Sequence, residues 1–155
     1  LCGMNLADFY DCDPFGDRLE YTRKKTRGHK KDKPYLSLMI HPKAKEIIDQ
    51  YRDMDGSRGF CFYKKYANMP AFHQALRRGI SVLRRELGIP DLTYYVARHS
   101  FATIARNKCG VSKDDVSLCL THESGNSMTD TYIDVDFSIV DNVINKVVDY
   151  VFGDK

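Results

Sequence analysis

The stretch "TYYVARHSFATIARN" at residues 93–107 decides how the chain is read. Its apolar residues Ala97, Phe101, Ile104 and Ala105 recur at helical spacing, which predicts an amphipathic helix with those side chains toward a core. Asp91 or Thr93 supplies the N-terminal cap, and Gly110 the C-terminal one. Inside the run stand Arg98 and His99, with Tyr95 one turn earlier. Tyr95 and Arg98 are three residues apart and share a face. A well-packed helix would hold the arginine rigidly and let its planar fork meet a phosphate. Taken alone, Arg98 reads first as an ordinary surface or salt-bridged arginine. A second stretch, "THESGNSMTDTYI" at 121–133, sets His122 and Tyr132 downstream of it.

Outward from this helix, the pattern predicts an α+β, mainly helical domain with one small antiparallel sheet. "LCGMNLADFYDC" opens the chain at helical spacing without a cap, so it reads as the middle of a helix that starts outside the sequence. "RLEYTRKKT" and "KPYLSLMI" read as two strands around the polar tip "RGHKKDK". Pro42 opens a helix through about Arg52, and "DMDGSRG" breaks it. "FCFYKKY" is ambiguous between strand and irregular structure. Pro70, harmless in a first turn, starts a helix through about Leu87. Ser112 and Asp115 form a capping-box-like start for a short helix to Leu120. "NSMTDTYI" predicts another short helix. Asp136 caps the last, whose stripe runs through Val140, Val143, Ile144, Val147, Val148 and Val151.

The 155 residues suit one domain able to bury a core. No apolar run is long enough to span a bilayer. Five cysteines (Cys2, Cys12, Cys61, Cys109 and Cys119), odd in number and without a C-x-x-C pair, favour buried thiols in a reducing cytosol over disulfides or zinc. The net charge of +3 is uninformative, but its distribution is not. Eight basic residues lie between Arg18 and Lys33, a second cluster is Arg77-Arg78 with Arg84-Arg85, and the chain's end is acidic. Such asymmetry suggests a face for a polyanion, against the alternative of a solvated basic surface.

"ARHSFAT", a capped short helix and "LTHESGNSMTDTYI" together resemble the C-terminal signature of the tyrosine recombinase (phage integrase) family. Upstream, "GMNLADFY", "YTRKKT" and the hairpin extend the resemblance over essentially the whole chain. "GNSMTDTYID" looks especially like integrases of mobile elements in Bacteroides-type bacteria. The resemblance implies the catalytic domain of a site-specific recombinase over residues 1–155, with the N-terminal DNA-binding domain lying outside this sequence. In such enzymes a tyrosine hydroxyl attacks a DNA phosphodiester in line, leaving a 3′-phosphotyrosyl link and a free 5′-hydroxyl. Arginines and a histidine stabilise the growing phosphoryl charge, so no cofactor and no metal are expected.

Carried over residue by residue, Tyr132 matches the nucleophile, Arg98 the second arginine of the catalytic set and His122 the histidine of the leucine-glycine-histidine turn. Thr121 stands where that turn usually has glycine. Lys25 matches the strand lysine that protonates the leaving 5′-oxygen. His99 is expected to hydrogen-bond inside the domain. Two positions depart from the pattern. Tyr95 replaces a histidine and keeps a donor without a good proton acceptor. Asn5 stands where the first arginine normally follows "G-(L/M)". Arg23 is the expected substitute, because period two places it on the same strand face as Lys25, with Arg27 ranked second.

The implied partners are double-stranded DNA, further copies in a DNA-bound tetramer with C-terminal helix exchange, and a host DNA-bending accessory protein, with no membrane. The chain alone is expected to be monomeric, to bind DNA weakly, and to act in the bacterial cytoplasm at the nucleoid. The alternatives are a catalytically degenerate member serving as a DNA-binding or directionality factor, and a helical interaction module with no DNA role.

Overall fold

The computed structural model describes residues 2–23, 35–122 and 134–153. Among the described residues the chain is mainly helical with one two-stranded antiparallel sheet, as its patterning predicts. The elements run α1 (Leu6–Tyr10), β1 (Arg18–Thr22), β2 (Tyr35–Met39), α2 (Pro42–Tyr51), α3 (Phe62–Lys65), α4 (Met69–Leu87), α5 (Tyr94–Asn107), α6 (Lys113–Cys119) and α7 (Ser138–Phe152). The strands pair in register from Arg18 opposite Met39 to Thr22 opposite Tyr35. Leu19 and Tyr21 point inward on β1, and the same two-residue period carries Arg23 inward just beyond it. The strand tip, Lys25 and Arg27 lie outside the described residues, as does the expected helix around Tyr132.

Most helix starts follow their capping residues. Thr93 Oγ1 accepts from Val96 N at 3.2 Å, Ser112 Oγ from Asp115 N at 3.0 Å, and Asn68 Oδ1 from Ala71 N at 2.9 Å. Asp136 serves α7 from one position further out: Phe137 is the N-cap, while Asp136 Oδ1 accepts from Ser138 N at 2.8 Å. Two expectations are corrected. The first residues are not the middle of a helix, because Cys2 and Gly3 turn at positive φ and α1 begins only after the extended Asn5. The helix after Thr93 ends at Asn107 rather than running to Gly110, which lies at positive φ beyond its C-cap, Lys108. "FCFYKKY" resolves into a bridge from Phe60 to Arg52 followed by the one-turn α3.

The core joins β1, β2, α5, α6 and α7. Leu19, Leu36, Leu38, Ala105, Val140 and Ile144 are at most 1% exposed. Val143 and Val147 complete the buried part of the α7 stripe, and Val148 packs at its edge. Val151 is exposed, so the stripe is shorter than its sequence suggests. Asp141 on the first turns of α7 accepts from Arg18 through two N–H groups, at 2.7 and 3.1 Å, and from Met39 N at 2.8 Å. In this single chain α7 is therefore built into its own domain, and helix exchange between copies would have to break these contacts. All five cysteines are free thiols, with Cys2, Cys12 and Cys119 buried.

Candidate active site

α5 turns the face of Phe101, Ile104 and Ala105 to the core as its apolar residues suggest, but that face also includes Arg98 and leaves out Ala97. Phe101 and Ala105 are buried, but Ala97 is exposed and Arg98 is only 5% exposed. The inward stripe runs through Arg98, Phe101 and Ala105, so a guanidinium occupies a core-facing position. A buried charge requires hydrogen bonds in place of water, and backbone carbonyls supply them. Arg98 Nη1 donates to Gly3 O at 2.8 Å, and Nη2 donates to Leu120 O. Nη2 also lies 3.0 Å from His122 Nε2. A guanidinium has only donors, so in this arrangement Nε2 accepts and the imidazole carries its proton on Nδ1.

Gly3 permits this arrangement. A Cβ there would lie 2.6 Å from Arg98 Cγ, and the residue turns at φ +61°. Side-chain-free backbone thus passes directly over the arginine's stem. From the other side, Arg23 Nη1 donates to Thr121 O at 2.7 Å. Leu120, Thr121 and His122 therefore gather two guanidinium groups and an imidazole at one turn. Arg98 senses its surroundings: burial first, and then the positive charge of Arg23, lower its pKa from the ordinary value. Tyr95 and Tyr21 act in the opposite direction.

Among the expected site residues, Arg23, Arg98 and His122 are brought together, and Tyr95 stands half-exposed at their edge. Asn5 lines a cavity of about 490 Å³ with Tyr95 and Arg98, but its side chain donates to Asp8 Oδ2 at 3.3 Å. His99 is corrected: it is exposed, and its ring stands edge-on to Tyr95 at 4.8 Å. One residue past the buried Arg98, a helix turns a side chain about 100° away from the core. Tyr132 and Lys25 lie outside the described residues.

Four contributors escaped the sequence reading. Gly3 had a visible signal, a glycine two residues before Asn5, although its contact spans 95 residues. Tyr21 shares the inward period of Leu19 and Arg23. Its hydroxyl pKa is raised by burial first and by Cys2 and Asp8, while Arg98 and Arg23 oppose the rise. Asp8 is 4% exposed, and its charge reaches both Tyr21 and Tyr94. Tyr94 donates to Met4 O at 2.7 Å, and its own pKa is pushed up to about 12, chiefly by burial. Nothing in the sequence marks Asp8 as buried. No family model, curated protein or solved structure matches this chain.

Proposed function

We propose that the chain is the catalytic domain of a tyrosine recombinase, an integrase of a mobile element that cleaves and rejoins DNA through a 3′-phosphotyrosyl intermediate. The observation that carries this reading is the convergence of Arg23, Arg98 and His122 on the turn at residues 120–122. Two adjacent guanidiniums with a histidine suit a phosphate in its transition state, where charge spreads over the non-bridging oxygens. Two positive groups directed at one turn attract an anion, and a phosphodiester would be one. Arg98 keeps donor capacity beyond its contacts with Gly3, Leu120, His122 and Tyr95, since a guanidinium has five N–H groups. His122 would turn from Arg98 to a phosphoryl oxygen or to the attacking hydroxyl.

In this reading Tyr132 is the nucleophile. Its hydroxyl gives its proton to His122 and attacks phosphorus, the 5′-oxygen leaves and takes a proton from Lys25, and the phosphodiester energy stays in the tyrosyl link for rejoining. Arg23 fills the role of the arginine missing at Asn5, and Tyr95 donates to the phosphate where the family has a histidine. The test is trapping on a nicked suicide duplex, from which the cleaved fragment diffuses away. The wild-type chain should accumulate a covalent protein–DNA adduct, and Tyr132→Phe should form none while keeping its fold and its DNA affinity. Adducts on the phenylalanine variant would remove the nucleophile assignment. A wild type that binds DNA without ever forming an adduct would favour the degenerate DNA-binding alternative, which Asn5 and Tyr95 support.

A further inference from the structure

α4 is a 19-residue helix in which Phe72 is the one buried residue. Its apolar side chains nevertheless form a single stripe. Phe72, Ala75, Leu76, Gly79, Ile80 and Leu83 follow the i, i+3, i+4, i+7, i+8, i+11 spacing of one helix face. Beyond Phe72 that face borders an open groove of about 930 Å³, whose other wall is Leu6 and Phe9 of α1, Tyr51 of α2, and Phe62 and Tyr66 of α3. Leu83 is 45% exposed and Leu87, one turn on, 60%. A stripe of this kind normally lies against another element.

Two features describe what fits it. Gly79 stands inside the helix, where glycine is weaker than alanine, yet a Cβ there would meet no atom within 4 Å beyond its own helix backbone. No contact in this chain calls for the missing side chain. With Ala75 one turn earlier, Gly79 leaves a low stretch at which a second helix can approach closely. The other feature is charge. Arg78 and Arg85 flank the stripe on one side and Arg77 and Arg84 on the other, Lys65 stands in the facing wall, and Glu86 is the helix's one acid. Phosphates would answer these cations but leave the apolar floor bare. Among the described helices of this chain none answers both. A second copy of α4 would set arginines against arginines, and the acid-bearing apolar helix α7 keeps Val140, Val143, Ile144 and Val147 in its own core.

We propose that the groove between α1, α3 and α4 is a docking site for an amphipathic α-helix of another protein, with an apolar stripe bordered on both sides by Asp or Glu. From Phe72 to Leu83 the stripe covers roughly 16 Å, about three turns of such a helix. Phe9 and Tyr94 line both the groove and the cavity beside Arg98, so the docked helix would rest against the residues that flank the candidate active site.

A phage-displayed library of amphipathic helices, with Leu and Ala fixed along the stripe and flanking positions drawn from Glu, Lys and Gln, tests this against the intact chain. Selection should enrich helices with glutamate on both flanks, and the best of them, as a synthetic peptide, should bind saturably. Gly79→Leu should raise the thermal midpoint, since leucine is the better helix former, yet weaken that peptide by about tenfold or more by filling the low stretch. Replacing the exposed pair, Arg78→Gln with Arg85→Gln, leaves the groove's shape alone and should weaken the peptide by an amount that shrinks as salt rises. Enrichment of lysine flanks, selection of no helix, or a peptide that binds both variants as well as the wild type would overturn the proposal. A dimer in sedimentation that Gly79→Leu dissociates would overturn it by giving the groove to a second copy. Saturable binding of laurate that Gly79→Leu abolishes, with no helix selected, would overturn it in favour of an apolar anion. DNA takes no part in these readouts, so failure of the recombinase reading would leave them standing.

Discussion

Thr121 adopts φ +50°, a left-handed conformation that a β-branched residue seldom takes, at the position where the resembled family has glycine. Its carbonyl meets Arg23, while the preceding carbonyl meets Arg98, so the strained turn sits where the charges converge. On the opposite side Gly3 meets the stem of Arg98. Gly3→Ala, forced to φ +61° and into contact with Arg98, should cost about 1–3 kcal/mol and lower activity further by displacing the guanidinium. Thermal unfolding and single-turnover cleavage would measure both effects. Arg23→Ala should slow cleavage by about 10²-fold or more, the range for one preorganised donor, whereas Asn5→Ala should change little. Unaffected cleavage by Arg23→Ala would move the proposed role elsewhere, with Arg27 the first candidate. Arg23 was legible because period two is a local rule: Leu19, Tyr21 and Arg23 fall on one face whatever the strand packs against. The depth of Arg98 was not, because apolar periodicity assigns an arginine to the outside by default, and only the carbonyls of Gly3 and Leu120 make the inside tolerable.

At the scale of elements, what local chemistry determines was readable. Thr93, Ser112 and Asp136 mark their helix starts because a cap needs only a side chain and the next few amides. The five-residue α1 and four-residue α3 lie below the length at which propensity supports a helix. They exist because Phe9, Phe60, Phe62 and Phe72 pack as one aromatic group, a tertiary fact. The α7 stripe was legible as apolar, but not where it docks. With Ile144 1% exposed in the core, Ile144→Ala should destabilise the domain by about 2–5 kcal/mol. Truncation after Ser138 should leave an unfolded chain by circular dichroism. A folded truncated monomer would instead support a helix meant for a neighbouring copy.

Another element-level device is the loop between α2 and α3. The enclosed Asp53 carboxylate receives Lys64 Nζ at 2.7 Å, Tyr63 Oη at 2.6 Å and the amides of Asp55 and Arg58, each at 3.2 Å. Lys64 first, and then Tyr63, depress its pKa well below the usual carboxylate range. A depressed carboxylate contributes stability above its unfolded pKa of about 4 and loses it as pH falls toward the folded value. Stability should therefore drop as the solution is acidified below about pH 4, and Asp53→Asn should flatten that part of the profile while lowering the plateau at neutral pH. Denaturant titrations across the acid range would show whether it does.

At the scale of the molecule, the candidate site draws on distant parts of the chain: the N-terminal turn through Gly3, the end of β1 through Arg23, α5 through Arg98, and the turn after α6 through His122. The hydrophobic core of β1, β2, α5, α6 and α7 holds these pieces in register, while α4 adds a basic face beside them. Which residues take part was partly legible from motif order, but how they meet was not, because the contacts join residues 22 to 98 positions apart. The assignment of Tyr132 comes from its place after His122 in the motif, and it carries the central claim, that this cluster directs one tyrosine onto a DNA phosphate. Peptide mapping of the covalent adduct from a suicide duplex addresses this most directly, since the chain offers ten tyrosines. The nucleotide remnant should be found on the peptide containing Tyr132 and attached to its hydroxyl. A remnant on Tyr95 or any other tyrosine, or no adduct from a chain that binds the duplex, would contradict the account.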